Sequence, residues 1–294
     1  GILVIFSITF FFQKIFIINK LIFISIFVLG LLSDINKLTS PKTRFLIQLL
    51  IVTIYVVLNE TYISEIRIGY FDDYIFQFKI FKIFFTCFCL LILINGSNFI
   101  DGVNTLNSGY YLIIFCNILF ISLNNFVILD TYNIKILISV LLVFLLSNTL
   151  SKSFLGDSGS YVLSLFAGIF FIDMFNQNSF ISPYYIVILL WYPAFENFFS
   201  LTRRLIFEKN KIKAADNLHL HHLLFIYLKK INFNNRILNT LTGVIINLFN
   251  LIVIVSANKF IYETQKLILI LFISVSVYLT VYILLKKKLI KFQK

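Results

Sequence analysis

Every histidine of this chain lies in one short stretch, NLHLHHLLF, as His219, His221 and His222. Arg203 and Arg204 precede this stretch in the same polar segment. Imidazole and guanidinium groups donate hydrogen bonds to phosphate oxygens, so the stretch predicts a site for an anionic ligand. A zinc site would need further ligands, and no cysteine lies nearby. A solvated loop that binds nothing is the remaining alternative.

A second cluster, FLGDSGS, places Asp157 directly after Gly156. A glycine lets a ligand come close to the backbone, and a carboxylate oxygen is a hard ligand that suits a divalent cation. Aspartate is also a good N-cap for the helix that follows. The two interpretations are compatible with each other.

Two more clusters lie at the ends of apolar segments. In NGSNFIDGVN, the residues Asn95, Asn98 and Asp101 are spaced i, i+3, i+6, which predicts one polar helix face. Such a stripe next to a membrane is costly and indicates either a function or an interhelical hydrogen-bond seam. Asp34 follows Ser33 at the end of another apolar run, where a solvated helix terminus is the alternative.

The elements that must position these clusters are membrane-spanning helices. The chain is 60% hydrophobic and 18% aromatic over 294 residues, and about 20 apolar residues of helix cross a bilayer core. Only helices and closed barrels satisfy the backbone in lipid, and the runs are too long and continuous for barrel strands. We therefore predict an all-α polytopic membrane protein, one domain over 1–294, with crossings near 15–33, 44–59, 80–99, 108–125, 133–150, 159–176, 181–200, 236–257 and 264–285.

Residues 1–12 resemble the end of a tenth crossing. The chain begins with Gly1, and its only methionine is Met174, so we expect that N-terminal crossings are missing.

Charge indicates which loops share a side of the membrane. By alternation, loops 34–43, 101–107, 151–158 and 201–235 lie on the same side as the tail, and these segments with their edges hold about two thirds of the 25 Lys and Arg. The positive-inside rule makes this side cytoplasmic, and all four polar clusters fall on it. Membrane topology and attraction to anionic lipid therefore explain the excess of basic residues. Nucleic-acid binding is not expected.

One long loop is assigned to the opposite side. Residues 60–79 are predicted to form a short hairpin with IRIGYF as a strand, and Asp72 and Asp73 are interpreted as exposed charges on it.

Carboxylates, amides, histidines and basic groups therefore meet at one membrane face. Carboxylates attract Mg²⁺, which usually shares its ligand shell with phosphates, and apolar helices can hold a lipid tail. The chemistry that needs both is the transfer of a phosphate-bearing group onto a membrane lipid.

The four motifs, in this order, resemble those of the polyprenyl-phosphate N-acetylhexosamine-1-phosphate transferases. LGLLSDINKLTSPKTRFLIQ is similar to the segment around the family's Asp-Asp pair, NGSNFIDGVNTLNSG to its Asn- and Asp-rich motif, and FLGDSGS to its Phe-x-Gly-Asp-x-Gly-Ser motif. YPAFENFFSLTRRL and ADNLHLHHLL are similar to its last cytoplasmic loop, whose His-x-His-His pattern favours the branch with donors like UDP-GlcNAc. The resemblance covers about residues 20–230.

This resemblance implies a bacterial inner-membrane enzyme with a cytoplasmic site. The enzyme would use Mg²⁺, with Mn²⁺ as the alternative ion, to transfer N-acetylhexosamine 1-phosphate from a UDP-sugar to undecaprenyl phosphate. UMP would leave, and the product would start cell-envelope glycans such as lipopolysaccharide O-antigen. A homodimer is the expected form if the chain assembles. The implied metal-binding and catalytic residues are Asp34, Asp101 and Asp157, and the implied substrate-binding residues are Asn95, Asn98, Asn104, Arg203, Arg204, His219, His221 and His222.

The chain departs from the family pattern at several positions. The first Asp of the Asp-Asp pair is Ser33, and the family's Asp-Gly pair later in the chain is Asn104 and Thr105. Ala215 stands for a proline, and Glu196 for an aspartate. Ser33 leaves open a degenerate, inactive relative that binds lipid or a partner. A transporter is the other alternative, but transporters place their sites near the midplane.

Overall fold

The computed structural model describes residues 17–124, 126–127, 129, 131–207, 218–231 and 235–291. The predicted end of a crossing at 1–12 lies outside this part of the chain. So do the middle of the 201–235 loop and the basic residues Lys209, Lys211 and Lys213.

The described chain is helical and contains no strand, as the all-α prediction requires. Its helices are α1 (Ile17–Asp34), α2 (Pro41–Asn59), α3 (Gly69–Tyr74), α4 (Lys79–Ile100), α5 (Leu106–Leu123), α6 (Thr131–Thr149), α7 (Gly156–Gln177), α8 (Pro183–Phe207), α9 (Leu220–Lys230), α10 (Asn235–Ala257) and α11 (Thr264–Lys291), with a 3-10 turn at Asn258–Phe260.

Eight of these helices are long and apolar enough to cross a membrane, so the described chain is that of a multi-pass membrane protein. They coincide with eight of the nine predicted crossings. The ninth, near 181–200, forms the 25-residue helix α8, but α8 is not among the eight. Glu196, Asn197, Arg203 and Arg204 lower the apolar character of its second half.

Helix α7 is the centre of the bundle. It packs along α1 and against α4, which in turn contacts α2 and α8. Small residues let these helices approach closely, as is common between membrane helices. At Gly30 of α1, an added Cβ would lie 2.4 Å from Ser158 Cα of α7. This contact brings the end of α1, with Ser33 and Asp34, to the start of α7.

Because backbone cannot move aside as a side-chain tip can, Gly30→Ala should push α1 away from α7. We expect a loss of stability of about 1–3 kcal/mol, as for other overpacked sites, measured as a lower unfolding temperature in detergent. Gly69→Ala is the matched control, since an added Cβ there meets nothing within 4 Å. Equal unfolding temperatures for the two variants would contradict this packing.

The predicted hairpin at 60–79 is wrong. The segment turns instead into the short helix α3, Gly69–Tyr74. The Asp72 carboxylate accepts hydrogen bonds from the backbone N–H groups of Ile66 (2.9 Å) and Ile68 (2.8 Å), which fixes a turn where IRIGYF was expected to extend. Asp72, which we predicted to be exposed, is partly buried and stabilises this turn. Asp73 is exposed as predicted.

Candidate active site

Side chains from three other helices contact the Asp157 carboxylate. Its Oδ1 accepts a hydrogen bond from Asn98 Nδ2 of α4 at 2.6 Å. Its Oδ2 accepts one from Ser33 Oγ of α1 at 2.5 Å and forms an ion pair with Arg44 Nη1 of α2 at 2.8 Å. Arg44 Nη1 also donates to Ser33 Oγ. The structure thus brings the clusters that contain Ser33, Asn98 and Asp157 together around one carboxylate.

Asp34 lies beside Asp157 and makes a structural contact that the sequence did not predict. Its Oδ1 accepts from the backbone N–H of Asp157 (2.8 Å) and its Oδ2 from that of Ser158 (3.2 Å). A carboxylate at a helix N-terminus satisfies free N–H groups and stabilises the positive end of the dipole. Asp34 is therefore the cap of α7, supplied from another helix. Asp157 itself lies in the first turn of α7 and is not its N-cap.

Gly156 makes this cap geometrically feasible. Its φ of +66° lies in the left-handed region that favours glycine. An added Cβ would lie 2.8 Å from Asp34 Oδ2. The glycine of FLGDSGS thus admits a side chain from α1, a role different from the ligand approach that we predicted.

Asp101 lies just beyond the end of α4, on a cavity of about 340 Å³. Burial raises the pKa of its carboxyl to about 8, and a hydrogen bond from the Gly156 backbone acts in the opposite direction. A cation bound nearby would favour the ionised form. The residues that line this cavity are Asn98, Asp101, Gly102, Val103, Asn104, Asn148, Phe154, Leu155, Gly156, Asp157 and Asn239.

The predicted site with three carboxylate ligands is not formed. In the described part of the chain, no three His, Cys, Asp or Glu side chains are grouped closely enough to hold a metal ion. Both oxygens of Asp34 accept hydrogen bonds from the backbone of α7, and its role as a metal ligand stays a prediction. Asp101 and Asp157 remain, with the amide of Asn98, on one cavity. Mg²⁺ keeps several waters and commonly takes one or two carboxylates plus substrate phosphates, so this donor set fits the ion.

Asn104 and Thr105 form a tight turn at the edge of the same cavity. Asn104 Nδ2 donates to Ser151 Oγ (2.7 Å), and its backbone N–H donates to Asn239 Oδ1 (3.3 Å). Thr105 has φ +66°, a conformation unfavourable for a β-branched residue. Its N–H donates to Asn148 Oδ1 at 2.6 Å. Thr105 stands where the family pattern has a glycine, and hydrogen bonds to surrounding amides hold it in this conformation.

Asn95, which we predicted to bind substrate, is not on this cavity. Its Nδ2 donates to Gln48 Oε1 of α2 at 3.0 Å and to Leu91 O. A step of three residues turns a helix by about 300°, so Asn95 and Asp101 differ by about 120° around α4. Asn98 and Asp101 reach the cavity, whereas Asn95 takes part in an interhelical hydrogen bond.

The three histidine rings lie against one another. His219 and His221 stack with centroids 5.5 Å apart, and His221 and His222 are 4.2 Å apart. We predicted that His219 and His222 would lie together and that His221 would point elsewhere. The first part agrees with their ring contact at 6.0 Å, and the second part is wrong. Helix α9 begins at Leu220, so His219 is its N-cap residue, with extended backbone, and its ring can turn toward His221.

The histidine segment contacts the carboxylate site at Gly102, the residue that follows Asp101. A Cβ on Gly102 would lie 2.2 Å from His221 Nε2, so the ring lies directly against the glycine next to Asp101. Gly102 also borders a second cavity of about 850 Å³, lined by Gly102, Val103, Thr149, Leu150, Ser151, His222, Phe225, Ile237, Asn239 and Thr240. The two cavities share Gly102, Val103 and Asn239.

Arg203 and Arg204 lie near the end of α8 and border neither cavity. Arg203 is buried and Arg204 half-buried. Their predicted contact with substrate stays a prediction.

Sequence reasoning placed Arg44 in the cluster of Ser33 and Asp34 but assigned it no role in the site, and it missed Asn239. Arg44 is the cation that pairs with Asp157, and Asn239 borders both cavities. A basic residue in a motif-bearing segment was the available signal for Arg44. No local pattern in the sequence singles out Asn239.

Comparison with known proteins places these residues in a family. The model of glycosyl transferase family 4 matches residues 16–175, which include Asp34, Asp101 and Asp157. A probable undecaprenyl-phosphate N-acetylglucosaminyl 1-phosphate transferase of Bacillus subtilis is 29% identical over 204 residues, 69% of this chain and 56% of the relative. An undecaprenyl-phosphate alpha-N-acetylglucosaminyl 1-phosphate transferase of Thermotoga maritima is 27% identical over 200 residues, 68% of this chain and 58% of the relative.

The matched part of the chain thus spans somewhat more than half the length of these curated relatives. The resemblance noted from the four motifs is confirmed.

Proposed function

Since the chain belongs to glycosyl transferase family 4, we propose that it transfers N-acetylglucosamine 1-phosphate from UDP-N-acetylglucosamine to undecaprenyl phosphate and releases UMP. The names of both relatives support the lipid acceptor and the sugar phosphate. The positive-inside rule supports a site at the cytoplasmic face of a bacterial plasma membrane. The lipid product would begin a cell-envelope glycan.

The observation that carries this proposal is the cavity shared by Asp101, Asp157 and Asn98 at the end of an apolar helix bundle. Hard oxygen ligands for a cation lie there beside the Arg44 guanidinium. Helices with exposed apolar faces surround it and suit an acceptor with a lipid tail.

In the proposed reaction, an oxygen of the lipid phosphate attacks the sugar-bearing phosphorus of the donor. The bond between this phosphorus and the bridging oxygen breaks, and the bridging oxygen leaves with UMP. When bound by Asp157 and Asp101, Mg²⁺ would neutralise charge on the diphosphate. A dianionic lipid phosphate needs little deprotonation, so the replacement of the first Asp by Ser33 is compatible with turnover.

The chain's own groups hold these reactants in position. Asn98 fixes the Asp157 carboxylate through Oδ1. Arg44 pairs with Oδ2 in this structure and can move its charge toward a phosphate that enters. Most of the rate of phosphoryl transfer comes from such positioning and charge neutralisation.

The proposed function predicts that the purified chain, in detergent with UDP-N-acetylglucosamine, undecaprenyl phosphate and Mg²⁺, releases UMP. Omission of the lipid or addition of EDTA should reduce the release to background, and Mg²⁺ or Mn²⁺ in excess over EDTA should restore it. UMP release that is unchanged without lipid would contradict the proposal. So would the absence of UMP with every UDP-hexosamine tested.

A further inference from the structure

The carboxylate of Glu196 in α8 is fully buried, and the mechanism above does not use it. Its Oε2 lies 3.1 Å from His219 Nδ1. Its Oε1 accepts from the backbone N–H of Leu220 at 3.2 Å and from Tyr192 OH at 3.4 Å. Two of these three partners belong to the start of the histidine segment, 23 and 24 residues further along the chain.

A buried carboxylate is costly unless its oxygens are paired. Glu196 satisfies this requirement by binding the first histidine and the first helical N–H of α9 at once. When Glu196 is ionised it only accepts hydrogen bonds, and His219 then carries a proton on Nδ1. When the imidazole is neutral, this bond fixes the tautomer whose Nε2 is an acceptor.

The orientation of His219 is transmitted to the cavities through ring contacts. The His219 ring stacks on His221 with an angle of 8° between the planes. His221 lies against Gly102, which borders both cavities. A rotation of His219 would therefore displace His221 from Gly102 and, through the ring contact of His221 with His222, change the wall of the second cavity.

We propose that Glu196 is a positioning residue that fixes the tautomer of His219 and the start of α9, so that the stacked histidines hold His222 on the second cavity, where it faces the diphosphate of the donor. This inference rests on the proposed function. It assigns Glu196 no contact with the substrate.

Glu196→Gln tests the proposal with little change in size. His219 and Leu220 lie against different oxygens of Glu196. A glutamine has an oxygen at only one of these two positions, so its NH₂ group would face one of the two donors. We expect KM for UDP-N-acetylglucosamine to rise about tenfold, KM for undecaprenyl phosphate to stay within about twofold, and the unfolding temperature to change little. These factors correspond to the loss of about one charged hydrogen bond.

Tyr192→Phe is the matched control. It removes a hydrogen bond from the same carboxylate and leaves both contacts to the histidine segment. We expect its donor KM to stay within about twofold of the wild type. A rise equal to that of Glu196→Gln would assign the effect to general loss of packing and overturn the proposal.

A double-mutant cycle with His219→Gln separates positioning from a purely structural role. If Glu196 acts through His219, the double variant should have the donor KM of His219→Gln alone within about twofold, because the second change removes a link already broken. Fully multiplied effects would show that Glu196 acts independently of His219 and would refute its assignment to the His219 tautomer.

The rate of chemical modification of His219 can be measured without turnover, so it tests this inference separately from the proposed function. His219 is only 5% exposed, so diethyl pyrocarbonate should modify it slowly in the wild type. It should modify His219 faster in Glu196→Gln but not in Tyr192→Phe, as resolved by fragment mass spectrometry. An inactive wild type with this pattern would refute the proposed function alone, and an unchanged pattern would refute the positioning role.

Discussion

Asp157→Asn should lower kcat for lipid-linked product by about a thousandfold, the magnitude seen when a group that stabilises transition-state charge is removed. The substitution keeps the shape of the side chain but removes its charge. An amide at this position can still accept from Asn98, but its NH₂ group would face the donors Arg44 and Ser33. Both the negative charge that would bind the cation and the ion pair with Arg44 would be lost.

The measurement is UMP release at saturating donor and lipid, with the unfolding temperature determined on the same sample. Asp73→Asn is the matched control, because Asp73 is an exposed aspartate of α3 far from the cavity in the bundle. We expect this control to retain full activity. If Asp157→Asn turned over at more than about a tenth of the wild-type rate, the central role of Asp157 would be untenable.

Gly102→Ala is the second change with a large expected effect. The added methyl would lie 2.2 Å from His221 Nε2. The His221 side chain is completely buried, so its ring cannot move aside without displacing the neighbouring histidines. We expect kcat/KM for the donor to fall about a hundredfold, as misplacement of about 1 Å commonly does.

The control for Gly102→Ala is Gly69→Ala, where the new methyl meets no atom within 4 Å. It should match the wild type in kcat/KM. Steady-state kinetics with varied UDP-N-acetylglucosamine distinguishes the two variants. Equal kinetics would mean that His221 does not lie against Gly102 in the working enzyme.

The membrane-spanning helices could be predicted from sequence because each is a local property. An apolar run of sufficient length must form a helix in lipid, and eight crossings were placed correctly on that basis. Helix α8 was predicted as a crossing near 181–200. It is a helix, but it is not among the eight apolar spans, because its polar second half holds Glu196 and Arg203. The hairpin at 60–79 failed because a single carboxylate, Asp72, decides the turn.

The site could be predicted only as a set of residues on one face. The sequence indicated that Asp34, Asn98, Asp101 and Asp157 share an end of the bundle, because alternation of crossings fixes sidedness. It could not assign Asp34 to the helix N-terminus, since the bond joins residues 123 positions apart and depends on the close contact at Gly30.

The histidine segment illustrates the same limit. Its residue types predicted an anion site, but the ring geometry depends on where α9 begins. Glu196 fixes that start by binding Leu220 N–H across 24 residues. Glu196 stands where the family pattern has an aspartate. Nothing in the sequence around it indicates that it contacts Leu220.

The most direct test of the proposed transfer asks which bond of the donor breaks. UDP-N-acetylglucosamine labelled with ³²P at the phosphate next to the sugar would be incubated with the purified chain, undecaprenyl phosphate and Mg²⁺. We predict that the label moves into the lipid phase in equal amount to the UMP released, and that Asp157→Asn abolishes this movement. Sugar in the lipid phase with the ³²P retained in UDP would show transfer of the sugar alone and would contradict the account.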